Sequence, residues 1–251
     1  MLIIPAAGLG TRLRSATPKI LLPVNGKAMV DWLLDLYGPV VRQFVLILHP
    51  SFETAVREHC RGRSRVAYVR QDHPTGMLDA ILAPLEHVRD AAPDRIWITW
   101  CDQIAIHPET MKELARLSRE HATAPMIFPT ARRPAPYIHI VRDGDGRIID
   151  VRHRREGDAM PEVGESDMGL FSLSAEAYFA QLPQFAAEAR QSARTGERNF
   201  LPFITWLSQR EADVLTFPCR DEREAIGINT SDDLEAIERY LRERSEPVTN
   251  R

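Results

Sequence analysis

The residues whose types and spacing could do chemistry lie at the start of the chain, in Ala6-Ala7-Gly8-Leu9-Gly10-Thr11-Arg12-Leu13. A glycine-bearing loop directly after an apolar run can turn successive backbone N–H groups onto one anion, and Arg12 and Lys19 add fixed positive charge at short range. That combination suits a polyphosphate, with Ala6, Ala7, Gly8, Gly10 and Thr11 wrapping a nucleotide. Neither standard phosphate loop fits. A dinucleotide fingerprint needs glycine where Leu13 stands and a helix opening there, and Pro18 leaves little room for one. A Walker loop fails because Gly26-Lys27 is followed by Ala28 and Leu21 stands where the first glycine belongs. Other chemistries lack their residues. There is no Ser–His–Asp arrangement, no His-Glu-x-x-His, and the 8 histidines have no metal-ligand spacing. Cys60, Cys101 and Cys219 are too far apart for a Cys-x-x-Cys metal site, and their odd number argues against a disulfide framework. Cys101 reads either as a nucleophile or as a small buried filler at a strand end.

The loop needs a scaffold, and the pattern around it alternates strand with helix. Met1 to Ala6 reads as a buried strand, Met29 to Tyr37 as a helical stripe, and Phe44 to Leu48 as a second strand. A helix from Ser51 to Cys60, a strand at Val66 to Val69, a helix from Met77 to His87 and a strand at Ile96 to Trp100 continue the series. Uninterrupted apolar runs of this kind suit parallel strands covered on both faces. A helix from His107 to His121 and a strand at Met126 to Phe128 follow. Asp143-Gly144-Asp145-Gly146 then predicts a hairpin between Tyr137 to Arg142 and Arg147 to Val151, a small antiparallel insertion. Beyond it, Gly169 to Leu173, Val214 to Phe217 and Ala225 to Ile228 read as strands. Ala175 to Leu182, Ala186 to Arg194 and Phe200 to Gln209 read as helices, and Thr230 or Ser231 caps a last helix to Arg244.

The fold class is therefore α/β with a mainly parallel sheet flanked by helices. One domain over 1–251 is expected, with a nucleotide half over about 1–130 and an acceptor half, including the C-terminal helix, over about 131–251. The 251 residues carry Lys plus Arg 32 against Asp plus Glu 35, a net charge of −3 that draws the chain to neither nucleic acid nor an anionic membrane. No signal segment and no run of apolar residues long enough to span a bilayer is present, so a cytoplasmic protein is expected. Oligomeric state is not legible.

The string Ala6-Ala7-Gly8-x-Gly10-Thr11-Arg12 with Pro18-Lys19, then Leu22-Pro23-Val24-x-Gly26-Lys27, resembles the signature of sugar-1-phosphate nucleotidylyltransferases. It is most similar to the uridylyltransferase domains of bacterial bifunctional N-acetylglucosamine-1-phosphate enzymes. Weaker echoes extend the resemblance: Gln71-x4-Gly76, Cys101-Asp102, Glu165 to Gly169, and Gly227-Ile228-Asn229-Thr230. The resemblance implies a Rossmann-like mixed sheet, Mg²⁺, an NTP and a phosphorylated small acceptor as substrates, and release of pyrophosphate. It makes Arg12, Lys19 and Asp102 catalytic, Gln71 and Gly76 readers of the base, and Asp102 and Asn229 the metal ligands. A carboxylate and a neutral amide oxygen form a reasonable partial shell for a hard cation, although Asn229 beside Thr230 and Ser231 reads equally well as part of a helix cap. A phosphate monoester is already largely dianionic near neutrality, so it can attack without a nucleophilic side chain.

The acceptor half departs from that pattern. Tyr137-Ile138-His139 stands for Tyr-Gly-Arg, Arg152 for a glutamate, and Asp167-Met168 for Asn-Thr, so the acceptor is left as a phosphorylated sugar or small alcohol. The resemblance implies an acceptor side of Arg154, which falls near the place of a family lysine that grips the acceptor's phosphate, with Glu165, Asp167 and Gly169, while Arg155 reads as solvated charge. Gln71 matches the edge of uracil or thymine and favours UTP or dTTP. Asp79, three residues after Gly76, instead resembles a run in ADP-glucose enzymes and keeps ATP open. A catalytically silent relative that senses nucleotide sugars is the alternative to an enzyme.

Overall fold

The computed structural model describes residues 1–8, 17–73 and 75–245. In chain order the elements are β1 (Leu2–Pro5), β2 (Pro23–Val24), β3 (Lys27–Ala28), α1 (Met29–Tyr37), β4 (Phe44–Leu48), α2 (Pro50–His59), β5 (Val66–Arg70), α3 (Met77–Leu82), α4 (Leu85–Ala91) and β6 (Arg95–Thr99). Then come α5 (Pro108–Glu120), β7 (Met126–Pro134), β8 (Ile138–Arg142), β9 (Ile148–His153), β10 (Val163–Asp167), β11 (Leu170–Ser174), α6 (Leu182–Glu188), α7 (Pro202–Gln209), β12 (Val214–Pro218) and α8 (Ser231–Ser245).

Hydrogen bonds link the main sheet in the order β10-β7-β11-β6-β1-β4-β5, and β12 adds to β7. β6, β1, β4 and β5 are parallel, as is the β12–β7 pair, whereas β7, β10 and β11 introduce antiparallel ladders. The Rossmann-like, mixed and mainly parallel sheet expected from the sequence is present. So is the antiparallel insertion, as β8 and β9, with Gly146 at φ +83° closing the turn and the Asp143 carboxylate accepting from Asp145 N and Arg147 N. Alternate residues of the strands feed two cores. Leu2, Ile4, Leu46 and Trp97 pack with Leu33, Leu114 and Ile237 on one face, while Ile3, Val45, Ile47 and Ile98 pack with Leu78, Phe185 and Phe203 on the other. The sheet is thus sandwiched between helices.

Several elements differ from the sequence reading, each for a physical reason. The helix expected over 77–87 breaks into α3 and α4 at Ala83-Pro84, where proline has no N–H to continue the ladder. Pro50 rather than Ser51 opens α2, and His49 Nδ1 caps it by accepting from Ser51 N. The helix expected over 186–194 stops at Glu188, because Ala189 turns extended and the following segment is drawn into bonds with Glu156. Ala225 to Ile228 is not a strand. The fully buried Glu224 carboxylate accepts from His107 N, Thr110 Oγ1, Arg220 N and Asp221 N, and this winds Glu222–Ala225 into a 3₁₀ turn. The strand expected at 126–128 extends to Pro134 because β10 pairs with its polar end, Thr130 to Pro134, while β12 pairs with its first half. The strand β10 has no apolar signature of its own.

Candidate active site

β1 is the switch point of the sheet, with β4 and β5 on one side and β6 on the other. Open sheets of this kind leave a crevice beyond the carboxyl ends of the strands at that point. Leu2 lies beside Trp97 and Ile3 beside Ile98, so Ala6 to Gly8 and Trp100 to Gln103 leave the sheet together. Ala6 and Ala7 are buried, and Ala6 N donates to Ile47 O at 2.8 Å. Gly10, Thr11 and Arg12 lie outside the described residues.

After that loop, Leu21 N donates to Pro18 O at 2.8 Å and closes a 3₁₀ turn over Lys19–Leu21, whose Ile20 is locked into the core. The turn aims Lys19 at the crevice. Its Nζ donates to Asp102 Oδ2 at 2.5 Å and to Asn229 Oδ1 at 3.2 Å, uniting three distant parts of the chain. Asn229 is held from behind. The Asp233 carboxylate accepts from Asn229 N at 3.0 Å and Thr230 N at 2.8 Å, while Thr230 Oγ1 accepts from Asp233 N at 3.2 Å. Thr230 therefore caps α8, and the Asn229 side-chain oxygen faces the lysine. Gly227 is confined here, since a Cβ on it would lie 3.3 Å from both Asp102 Oδ2 and Gln103 Nε2.

The donor set fits a hard divalent cation. Carboxylate and carboxamide oxygens already converge on one cationic centre, the lysine ammonium, and oxygen ligands of these two kinds with phosphate and water would complete such a shell. No group of three or more His, Cys, Asp or Glu able to hold a metal occurs among the described residues. Cys101, next to Asp102, has its thiol pushed up to about 12 by loss of hydration, which makes it a filler rather than a nucleophile.

At the end of β5, Gln71 is buried, its N donating to Leu48 O at 2.9 Å and its Nε2 lying 3.5 Å from Gly76 O. Gly76 has φ +131°, and a Cβ there would lie 2.4 Å from Arg198 N and O. Asp79 accepts from Thr75 Oγ1 at 2.6 Å and from Arg198 Nη1 at 2.5 Å. Both of its oxygens are engaged within the protein.

The acceptor-side residues separate. Asp167 faces Thr130 and Ser172 faces Ile127, so Met168 and Gly169 form a two-residue bulge between β10 and β11. Gly169 has φ +63°, donates to Asp167 Oδ2 at 2.8 Å, and accepts from Trp100 N at 3.0 Å. The bulge thereby lies against the residue two before Asp102. Burial pushes the Asp167 carboxyl up to about 6. Burial also acts to raise Glu165, but the Arg142 guanidinium grips it at 2.7 and 2.6 Å and holds it below the usual carboxylate range. Arg154 is exposed on the hairpin side, where it bonds Pro136 O at 3.2 and 3.1 Å, and Arg155 pairs with Glu197 at 2.8 Å. Gln103 and Arg142 were not singled out from the sequence. Only adjacency to Asp102 marks the first, and nothing marks the second, whose partner is distant in the chain.

No helix among the described residues is long and apolar enough to cross a membrane. The chain is 28% identical over 246 residues to the bifunctional protein GlmU of Thermodesulfovibrio yellowstonii, an alignment covering 96% of this chain and 52% of that one. GlmU of Geobacter metallireducens is 28% identical over 96% of this chain and 50% of its own, and that of Chromohalobacter salexigens 29% over 97% and 52%. The chain spans about half the length of these curated relatives. The model of the MobA-like NTP transferase domain matches residues 2–196, which include β1, Lys19, Gln71 and Asp102. With that match covering most of its length and the crevice built as described, the chain belongs to the MobA-like NTP transferase domain family and is a nucleotidyltransferase.

Proposed function

We propose that the chain moves a nucleotidyl group from an NTP, with UTP or dTTP preferred, to the phosphate of a phosphorylated sugar or small alcohol. The observation that carries this reading is the convergence of Lys19, Asp102 and Asn229 beside the loop at the end of β1. An acceptor phosphate oxygen attacks the α-phosphorus, the bond to the bridging oxygen breaks, and pyrophosphate leaves with the electron pair. No side chain needs to accept a proton, because the attacking phosphate is already ionised. Lys19 and Arg12 neutralise charge on the triphosphate, and Gly8, Gly10 and Thr11 with Ala6 and Ala7 offer backbone contacts. Asp102 and Asn229 would hold Mg²⁺, which when bound supplies charge neutralisation at the phosphates. Gln71 and Gly76 read the base, and Arg154, Glu165, Asp167 and Gly169 form the acceptor side. The three free cysteines suit a reducing compartment, and we place the reaction in the cytoplasm.

Pyrophosphate release from four NTPs against a panel of sugar and alcohol phosphates tests the reading. Turnover with one pair supports it, whereas nucleotide-sugar binding without any release identifies a sensor. Gln71→Ala should flatten the preference for UTP or dTTP by roughly 1–3 kcal/mol, the cost of an unpaired buried polar group. A wild-type preference for ATP or GTP refutes the pyrimidine reading.

A further inference from the structure

We propose that Arg198 is a positioning residue for base choice, gripping the Gln71–Gly76 segment from a strap that also holds the acceptor-side hairpin. The inference rests on the reading of Gln71 and Gly76 as the base-contacting segment. The strap is the stretch 189–199 between α6 and α7, and its grip on that segment has two layers. In the first, Arg198 N donates to Thr75 O at 2.8 Å and Leu78 N donates to Arg198 O at 3.1 Å, a strand-like clamp around Gly76. The clamp is so close that any Cβ at Gly76 would meet the Arg198 backbone at 2.4 Å. In the second, the guanidinium donates to Asp79 Oδ1 at 2.5 Å and to Ala186 O, joining α3 to the last turn of α6.

The far end of the strap grips the turn after β9. Asn199 Nδ2 and Thr195 Oγ1 donate to Glu156 Oε1 at 2.9 and 3.0 Å, Ser192 Oγ donates to Glu156 Oε2, and Glu197 pairs with Arg155 at 2.8 Å. Phe200, the next residue, is buried edge-on against Trp100 with centroids 6.2 Å apart. One short segment therefore touches the base loop, the acceptor-side hairpin and the residue leading to Asp102. The two layers separate structure from selectivity. Backbone clamping, including Ala80 N to Gly76 O at 3.2 Å, survives loss of the Arg198 side chain, but Asp79 loses its guanidinium partner and the Thr75 hydroxyl that leans on Asp79 loses a fixed acceptor, so the segment carrying Gly76 is held less rigidly against Gln71. Selectivity should then fall while the reacting groups around Asp102 stay in place.

The experiment measures kcat and KM for each NTP in the full chain carrying Arg198→Ala, Arg198→Lys, Asp79→Ala, or Arg198→Ala with Asp79→Ala. Arg198→Ala should raise KM for the favoured NTP about tenfold and for the others less, with kcat within about threefold, the size of one coupled polar contact. Arg198→Lys should recover much of the loss, because an ammonium can still reach Asp79. The double variant should be no worse than either single, since the two side chains act as one unit. An unchanged NTP spectrum in folded Arg198→Ala, a fall in kcat alone, or additive effects in the double variant would overturn the proposal. Should Arg198→Ala not fold, Asp79→Ala removes the same contact and carries the same readout, and an unchanged spectrum in it again refutes the proposal. Loss of base preference in Gln71→Ala alongside an inert Arg198 rejects the positioning role alone. A wild-type chain without base preference rejects the base-contacting reading and this inference with it.

Discussion

Asp167→Asn should make the protein more stable at neutral pH, and by an amount that depends on pH. Asp167 is 8% exposed at the bulge between β10 and β11, and it forms no ion pair among the described residues. Loss of hydration outweighs the groups that favour its charge, the Gly169 N–H at 2.8 Å, its own backbone N–H and the Arg133 guanidinium, so its pKa rises from 3.8 to about 6. A carboxyl group raised in the folded state favours folding in its neutral form. The penalty of ionising it is fully present above about pH 6, is relieved as the pH falls toward 4, and is gone below the unfolded value. Two pH units correspond to a ceiling of about 3 kcal/mol. Asparagine keeps the size and an oxygen for the Gly169 N–H while carrying no charge. For a chain of this length the gain at pH 7.5 corresponds to a Tm rise of roughly 5–10 °C. Differential scanning fluorimetry of both proteins between pH 4 and 8, without substrates, reads it directly. Equal Tm values at pH 7.5, or a gap that persists unchanged at pH 4, would refute the reasoning.

Asp102→Ala should abolish pyrophosphate release while the far-UV circular dichroism stays native, because the carboxylate lies at a strand end outside both cores; most of the wild-type rate at saturating Mg²⁺ would end its assignment as a metal ligand. Lys19→Ala should lower kcat roughly a hundredfold or more, as expected for a cation aimed at phosphate charge, and a near-normal rate would show that the 3₁₀ turn presents it elsewhere. Gly169→Ala should cost roughly 2–4 kcal/mol by urea denaturation, since φ is +63° and the new Cβ would lie 2.3 Å from Trp100 Cδ1; an unchanged midpoint would mean that the bulge repacks freely.

The sequence by itself determined the strands that have an apolar signature. Phe44 to Leu48 and Leu2 to Pro5 are buried on both faces, and an unbroken apolar run reports that directly. It also pointed to the loop after β1 as the place for phosphate chemistry, since glycines followed by Arg12 and Lys19 are a local arrangement, and the resemblance extended that expectation to Asp102, Asn229 and Gln71. Pairing was not legible. Val163 to Asp167 is a strand only because β7 offers it a ladder, and Ala225 to Ile228 is not one because Glu224 draws its neighbours into a turn. Tertiary structure likewise decided which partners the charges meet. Asp79 and Asp102 are both acidic residues near the crevice, yet one is spent on Arg198 and Thr75 while the other meets Lys19 and shares it with Asn229. Residue type and periodicity report burial and local backbone preference. The partner of a buried charge is set by strand register and by loop crossings between residues that are distant in the chain, and the folded chain is where those charges meet.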